Sequence, residues 1–416
     1  MPASDARAGT AVFRHRNFSL YQLVRFAVVA AIEMQSVAVG WQVYEITRRP
    51  LDLGLVGLAQ FLPNFFLFLL AGHAADRFNR KRLLLVCNAG FALCSLLLFE
   101  FASAGRTSVR PIYAVLVAIG VVRAFNSPAV RALLPALVPA GVFPQAVAWN
   151  STTHQAASIL GPAIGGLLYA IFGGPRGVYA ASVAACAIAS IALVRVRLEP
   201  SRRPKENVDL GSLLAGLDYI WRHKVILGSI SLDLFAVLLG GSIALLPVYA
   251  REILHAGPWA LGLLRSAPGA GAMLMATLLA YRALRRHVGK IMLLCVAGFG
   301  VFTIIFGLSR NLTLSIVALL LVGAVDMVSV VIRGVLVQIA TPDALRGRVN
   351  AVDMIFIGAS NELGEFESGL TAHWFGAVPA VIIGGAGTLV VVALWAWLFP
   401  DLRKADQLRP VEELAV

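Results

Sequence analysis

The chain has 416 residues, of which 59% are hydrophobic and only 14% are charged. Soluble proteins contain about 25% charged residues, so this composition excludes a soluble globular protein and indicates a polytopic membrane protein. The net charge of +13 would suit a nucleic-acid binder. Most lysines and arginines, however, fall in segments assigned to the cytoplasm, so the positive-inside rule explains the charge and no nucleic-acid partner is expected.

Twelve apolar runs are long enough to span a bilayer as helices. They cover residues 18–44, 52–71, 83–104, 111–134, 143–172, 178–194, 225–249, 259–281, 291–308, 312–339, 349–374 and 378–398. Residues 1–16 are polar and do not resemble a cleavable signal peptide, so we expect the N-terminus in the cytoplasm. An even number of spans and a basic C-terminal segment place the other end there too.

The spans divide into six plus six around a polar linker. We therefore expect an N-terminal six-helix bundle at residues 1–198, a cytoplasmic linker at 199–222, a C-terminal six-helix bundle at 223–400 and a cytoplasmic tail at 401–416. Within the linker, apolar residues recur at helical spacing from Leu210 to Trp221, with Asp209 as a candidate N-cap. This pattern predicts an amphipathic helix on the membrane face. An extension of the seventh span would show the same periodicity.

A charged segment from Gly72 to Arg82 connects the second and third spans. Its pattern, G-x-x-x-D-R-x-x-R-K-R, resembles the loop between helices 2 and 3 of the major facilitator superfamily, with Asn79 where that family often has glycine. A generic basic loop is the alternative. The resemblance implies an inner gate that pairs with facing helix ends. Its members would be Gly72, Asp76, Arg77, Arg80 and Lys81.

Two other segments resemble the enterobactin-exporter-like branch of the same superfamily. Residues 341–350 resemble its loop between helices 10 and 11, and residues 158–166 resemble its helix 5. A constant offset also aligns the two halves, so that Gly161 meets Gly364. Parallel repeats of six helices with a midplane binding site are the architecture that this resemblance implies.

Helix 5 carries a second motif of the superfamily. Glycine permits close helix approach, and proline removes a backbone hydrogen bond and bends the helix. The combination resembles the antiporter-associated motif of exporters, although plain helix packing would use the same residues. The motif consists of Gly161, Pro162, Gly165 and Gly166.

Arg123 lies in the middle of the fourth span. It resembles the family's R-x-x-Q-G pattern, with Asn126 and Ser127 replacing glutamine and glycine. A cation at membrane depth costs several kcal/mol unless it faces water or a partner, so Arg123 is predicted to face the central cavity. The repeat offset places Asp326 at the equivalent point of the second half. A locally hydrogen-bonded arginine without a transport role is the alternative.

The eleventh span contains an acidic cluster. Glu362 and Glu365 are three residues apart and share a helix face, whereas Glu367 points elsewhere. Two carboxylates at membrane depth repel each other and lose solvation, which favours protonation of at least one. This is the chemistry of a proton-coupled carrier. Alternatively, water solvates both groups and they only bind a cationic substrate.

Further polar residues are predicted in spans that line the cavity of the superfamily. Glu33 in helix 1 and Asp233 in helix 7 are candidate coupling residues. His154 could equally be a hydrogen-bonded core histidine. The candidates for substrate contact are Gln35, Asn126, Asn150, His154 and Asn361.

The sequence has no Walker motif, Ser-His-Asp arrangement or zinc-ligand spacing, so no enzyme activity, cofactor or metal is expected. We expect an all-α secondary transporter with two pseudo-symmetric six-helix bundles in the cell inner membrane. It would export a small organic molecule, a siderophore or drug-like compound, in exchange for protons, as a monomer. An importer or uniporter of the same fold, a lipid scramblase and a membrane-embedded enzyme are the alternatives.

Overall fold

The computed structural model describes residues 11–105, 108–197, 210–282 and 286–404, and this part of the chain contains twelve long helices. They are α1 Arg16–Thr47, α2 Pro50–Arg77, α3 Arg80–Ser103, α4 Arg110–Leu133, α5 Phe143–Ile171, α6 Arg176–Arg195, α7 Lys224–Gly240, α8 Pro258–Tyr281, α9 Val288–Leu308, α10 Leu312–Ala340, α11 Asp343–Phe375 and α12 Ala377–Leu398. Shorter elements include the linker helix Leu210–Arg222, a terminal helix Pro400–Lys404, and the turns Ala11–Arg14, Leu134–Ala136 and Ala140–Val142. The predicted all-α fold is confirmed.

Within these described ranges, ten helical segments are long and apolar enough to cross a membrane. The other two long helices, α5 and α11, have enough length but lack a sufficiently apolar stretch. These two helices carry the helix 5 motif and the acidic cluster. These two helices together hold nine of the twenty candidate functional residues.

Most of the charged segment from Gly72 to Arg82 is helical, and only a short loop separates α2 from α3. Helix α2 continues through Gly72 to Arg77, and α3 begins at Arg80. The Asn79 side chain caps α3 by accepting hydrogen bonds from the backbone N–H groups of Lys81 and Arg82, at 3.0 and 3.2 Å. Asparagine is a preferred N-cap residue, which gives this departure from the family pattern a structural role.

The predicted seventh span is interrupted rather than continuous. Helix α7 ends at Gly240, and the chain continues to Ile253 through a 3-10 turn Ile243–Leu245, a short helical turn Leu246–Val248 and a π-helical turn Tyr249–Ile253. Adjacent glycines at 240 and 241 weaken a helix because they gain the most backbone freedom on unfolding. The Ser368 hydroxyl donates a hydrogen bond to the Gly241 carbonyl at this break.

The chain forms two compact units. Unit one comprises the described residues within 1–46 and 62–207, and unit two those within 47–61 and 208–416. The first turns of α2 therefore belong to unit two. In unit two, Leu232, Met292 and Ile332 join α7, α9 and α10 in a buried apolar core. In unit one, Val29 and Ala30 of α1 pack against Ala157 of α5.

The linker helix is separate from α7, because the backbone of His223 between them is extended. Ile220 is fully buried in a core with residues of α7, α10 and α11. On the other side, Leu214 and Trp221 are 62% and 71% exposed. The Tyr219 hydroxyl donates a 2.6 Å hydrogen bond to the Ala340 carbonyl, which fixes the helix to the end of α10. The candidate cap Asp209 and residues 198–208 lie outside the described residues.

Candidate functional site

Glu362 and Glu365 converge on one point of helix α2. A methyl group at Gly57 would lie 2.8 Å from Glu365 Oε2 and 3.3 Å from Glu362 Oε2. Both carboxylates are half-buried, and both make further polar or electrostatic contacts. The spacing of three residues correctly placed them on one face. No sequence pattern indicated, however, that Gly57 is the residue they face.

Small residues bring the two helices this close. A side chain at Gly54 would lie 3.0 Å from the backbone of Phe366, and one at Gly369 would lie 2.8 Å from Gly54 Cα. Helix α2 therefore packs backbone against backbone on α11, as glycines allow in membranes. This contact fixes the two glutamates against Gly57. Glu367 lies on another face and accepts a 2.7 Å hydrogen bond from Thr371.

A buried ion cluster joins three helices of unit two. Arg333 of α10 donates to Asp233 of α7 at 2.7 Å and to Asp353 of α11 at 3.4 Å. The side chains of Arg333 and Asp233 are 5% and 7% exposed. Asp326, two turns before Arg333, interacts electrostatically with Asp233 and Arg333. The guanidinium of Arg333 thus interacts with three carboxylates.

Sequence reasoning did not single out Arg333, although a signal was present. The residue stands in an otherwise apolar helix, seven positions after Asp326, and an intramembrane cation requires a partner. Asp233 and Asp326 were both predicted as candidate coupling residues, and the structure brings them together through Arg333. The repeat offset related Asp326 to Arg123 instead. Arg123 is half-buried in α4 of unit one.

Helix α11 carries both acidic groups of unit two. Asp353 belongs to the ion cluster, and Glu362 follows nine residues later, about 14 Å along the helix axis. The two groups are therefore distinct sites on one helix. Asn361, beside them in sequence, is exposed and donates a 2.8 Å hydrogen bond to the Ile357 carbonyl.

In unit one, the helix 5 motif brings α5 against α1. A side chain at Gly161 would lie 2.6 Å from Glu33 Cβ, and one at Gly165 would lie 2.8 Å from Met34 Cα. Pro162 and Gly166 are also buried. The motif therefore fixes the backbone beside Glu33, whose side chain is half-buried.

The same contact recurs in unit two. A side chain at Gly364 of α11 would lie 2.9 Å from the Leu238 carbonyl oxygen of α7, and one at Gly161 of α5 would lie 3.2 Å from the Ala30 carbonyl oxygen of α1. The sequence repeat paired these two glycines. In each unit this glycine allows an equivalent pair of helices to pack closely, which accounts for the match of Gly161 and Gly364 in the sequence repeat.

The predicted substrate contacts in unit one occupy different environments. Gln35 is buried and accepts a 2.5 Å hydrogen bond from Ser95, so its oxygen links α1 to α3. Asn126 is buried in α4. The Oδ1 atom of Asn150 is buried and accepts no hydrogen bond from the described residues. His154 is exposed and interacts electrostatically with Arg25.

The cations of the predicted gate bind helix ends within unit one. Arg80 donates to the Ala132 carbonyl of α4 at 3.0 Å, and Lys81 donates to the Val194 and Val196 carbonyls at 2.8 and 2.6 Å. Cations favour the carbonyl end of a helix, where the helix dipole is negative. Arg77 is exposed, and Gly72 has open space where a side chain would be. The Asp76 side chain lies outside the described residues.

Among the described residues, no group of histidines, cysteines or acidic residues is arranged to hold a metal ion. Cys87, Cys94 and Cys186 are buried free thiols. The polar groups among these helices thus include an acidic pair, an ion cluster and individual amides. Long apolar helices with charged groups enclosed among them define a multi-pass membrane protein.

Comparison with known proteins identifies the family to which this membrane protein belongs. A model of the major facilitator superfamily, described as transmembrane secretion effector, matches residues 8–414. The chain belongs to this family, and it is a membrane transporter. Enterobactin exporter EntS of Citrobacter koseri is 27% identical over 405 residues, which cover 96% of this chain and 95% of that protein. Enterobactin exporter EntS of Shigella boydii is 28% identical over 410 residues, 95% of each chain.

A solved structure has the same fold. A bacterial homologue of the human lysosomal transporter Spinster, in an inward-facing and occupied conformation, aligns with a TM-score of 0.75 over 93% of this chain and 97% of that chain. The two sequences are 13% identical, so the likeness concerns the fold. The resemblance to the major facilitator superfamily and its enterobactin-exporter-like branch is confirmed.

Proposed function

We propose that this transporter exports a small organic molecule across the cell inner membrane in exchange for protons. The substrate class is a siderophore or a drug-like compound. Support for export comes from the relatives named enterobactin exporters, which match along nearly the whole chain. The observation that carries proton exchange is the convergence of Glu362 and Glu365 on Gly57.

The acidic pair has the chemistry that proton exchange needs. Two nearby carboxylates repel when both are ionised, and one proton shared between them removes the repulsion. A pair of this kind takes up one proton from the outside and releases it inside when its surroundings change. Alternating access supplies that change in this superfamily fold.

The ion cluster is the second proposed coupling element. Arg333 can neutralise one of Asp233, Asp326 and Asp353, so the cluster holds excess negative charge when all three are ionised. A proton or a cationic substrate would balance that charge. Glu33 and Arg123 complete the proposed set of charged cavity residues, with Asn126, Asn150, His154 and Asn361 as substrate contacts.

The proposed topology follows the charge distribution. Both termini and the segment between α2 and α3 are placed in the cytoplasm, with Asp76, Arg77, Arg80 and Lys81 as the inner gate. The proposed divisions are two six-helix bundles, at 1–198 and 223–400, joined by the linker at 199–222 and followed by the tail. We propose a monomer as the working unit.

Purified protein in proteoliposomes tests this function. Siderophores and common drugs are first screened for thermal stabilisation of the protein, since a ligand that binds the folded state stabilises it. A ligand found in this way is then supplied on one side, and the internal pH is recorded. Substrate-dependent proton movement opposite to the substrate is expected. Movement of proton and substrate in the same direction would indicate an importer, and transport without any proton movement would indicate a uniporter.

A further inference from the structure

Unit one contains a cavity of about 520 Å³ at the ends of three helices, where α1 and α3 begin and α6 ends. Four of its lining residues are cationic and none is acidic. Arg16, Arg195 and Arg197 are exposed, and Lys81 is half-buried. The full lining consists of Arg16, Asn79, Lys81, Val194, Arg195, Val196 and Arg197.

Specific hydrogen bonds hold the wall of this cavity in place. Lys81 donates to the carbonyls of Val194 and Val196 at 2.8 and 2.6 Å. From the other side, Asn17 Nδ2 donates to the Arg197 carbonyl at 2.8 Å, and Asn17 Oδ1 accepts from the Arg197 N–H at 3.1 Å. The backbone that carries Arg195 and Arg197 is therefore fixed between α1 and α3 before any ligand binds.

The helix ends add to the positive potential of the cavity. α1 begins at Arg16 and α3 begins at Arg80, and the first turn of a helix carries partial positive charge. α6 contributes the negative end of its dipole, but the Lys81 ammonium lies directly on those carbonyls. Each guanidinium can also donate two parallel hydrogen bonds to a phosphate. The cavity is thus suited to an anion with several oxygens.

We propose that this cavity binds the phosphate headgroup of an anionic phospholipid. α1, α3 and α6 are apolar enough to span the membrane, so their ends lie at the level of the lipid headgroups. Basic pockets between membrane helices bind such headgroups. Free phosphate shares the chemistry, but only the lipid is delivered by its acyl chains to this depth. The site is independent of the transported substrate.

Native mass spectrometry of the full-length protein in detergent tests the site. Binding of phosphatidylglycerol is compared with phosphatidylcholine of the same acyl chains and with inorganic phosphate. Arg195→Gln/Arg197→Gln should weaken phosphatidylglycerol binding about 25-fold, since each cation that contacts the headgroup changes affinity about fivefold. The control Arg282→Gln/Arg286→Gln removes two exposed arginines from a segment of unit two and should change binding less than about threefold.

A single variant provides a second test should the double variant fold poorly. Arg16→Gln alters one exposed side chain and should weaken phosphatidylglycerol binding about fivefold. Equal binding of phosphatidylglycerol and phosphatidylcholine by the wild type would overturn the proposal. So would unchanged phosphatidylglycerol binding in the variants, or saturable binding of inorganic phosphate without any preference for the anionic lipid.

Discussion

Arg333 of α10 lies 2.7 Å from Asp233 of α7, and both side chains are almost completely buried. The free-energy cost of desolvating two such charges can exceed the energy of their mutual attraction. Burial of the pair therefore does not by itself stabilise the fold. Arg333 also contacts Asp353 of α11, which brings three helices of unit two to one cation. The cluster therefore fixes how these helices pack, and loss of its cation should disturb the packing of all three helices.

Arg333→Gln should lower the free energy of unfolding by about 3–5 kcal/mol, because Asp233 keeps a buried charge without its partner. Denaturant unfolding of the purified protein in detergent measures this change. Arg333→Gln/Asp233→Asn should recover part of the loss, since the isolated charge is then removed.

The matched control for this variant is Arg222→Gln in the linker helix. Arg222 lies 2.9 Å from Asp218, but these side chains are 74% and 60% exposed. An exposed pair contributes about 0–1 kcal/mol, so the control should unfold almost like the wild type. Equal stability losses in Arg333→Gln and Arg222→Gln would refute a special role of the buried cluster.

Gly57→Ala should disturb the acidic pair directly. The new methyl group would lie 2.8 Å from Glu365 Oε2, so the carboxylates or helix α2 must move. We expect a loss of uphill transport with only a small change in the free energy of unfolding, because the closest atoms are the flexible ends of two glutamate side chains, which can move aside. Gly358→Ala is the control, since it lies on α11 with open space where the methyl group would be. Equal transport by both variants would show that Gly57 does not position the pair.

Gly165→Ala tests the packing of the helix 5 motif. Its methyl group would lie 2.8 Å from the Cα atom of Met34, and backbone cannot move aside as a side chain can. The expected loss is about 1–3 kcal/mol in the free energy of unfolding. Gly141→Ala, in the turn before α5, meets open space and should change stability by less than about 1 kcal/mol. A neutral Gly165→Ala would mean that α1 and α5 are not in backbone contact.

Accessibility of single cysteines tests the topology. Phe78, between α2 and α3, and Arg310, between α9 and α10, are both exposed. With the four native cysteines replaced by serine, Phe78→Cys should react with a membrane-impermeant thiol reagent only from the cytoplasmic side. Arg310→Cys should react only from outside. The opposite labelling pattern would invert the proposed orientation.

Much of the fold could be predicted because long apolar segments have few solutions in a bilayer. The predicted and observed ends of α4, α8 and α12 differ by at most one residue. The predicted and observed helix ends differ more where a capping residue or a glycine pair determines where a helix stops. Helix α2 continues past the predicted end at residue 71 to Arg77, where Asn79 starts a new helix. The seventh span breaks at the Gly240–Gly241 pair, which its high hydropathy concealed.

The candidate site was predicted only where the relevant spacing is local. Glu362 and Glu365 share a face because they lie three residues apart on one helix, and this follows from the sequence alone. The partner of Asp233 is Arg333 of α10, and Arg333 also pairs with Asp353 of α11, so this cluster depends on tertiary packing. Gly57 could not be singled out from the sequence, since glycine is frequent in membrane helices. Its role depends on the two glutamate side chains that occupy the space where a larger residue would place its own side chain.

Transport by Glu362→Gln and Glu365→Gln in proteoliposomes tests the central claim of proton exchange at the acidic pair. Glu367→Gln is the matched control, because Glu367 lies on another face and bonds to Thr371. Glutamine cannot release a proton, so at least one of the two variants should lose uphill transport under an imposed pH gradient while retaining downhill substrate exchange. Glu367→Gln should retain both activities. Full uphill transport by both Glu362→Gln and Glu365→Gln would contradict the account.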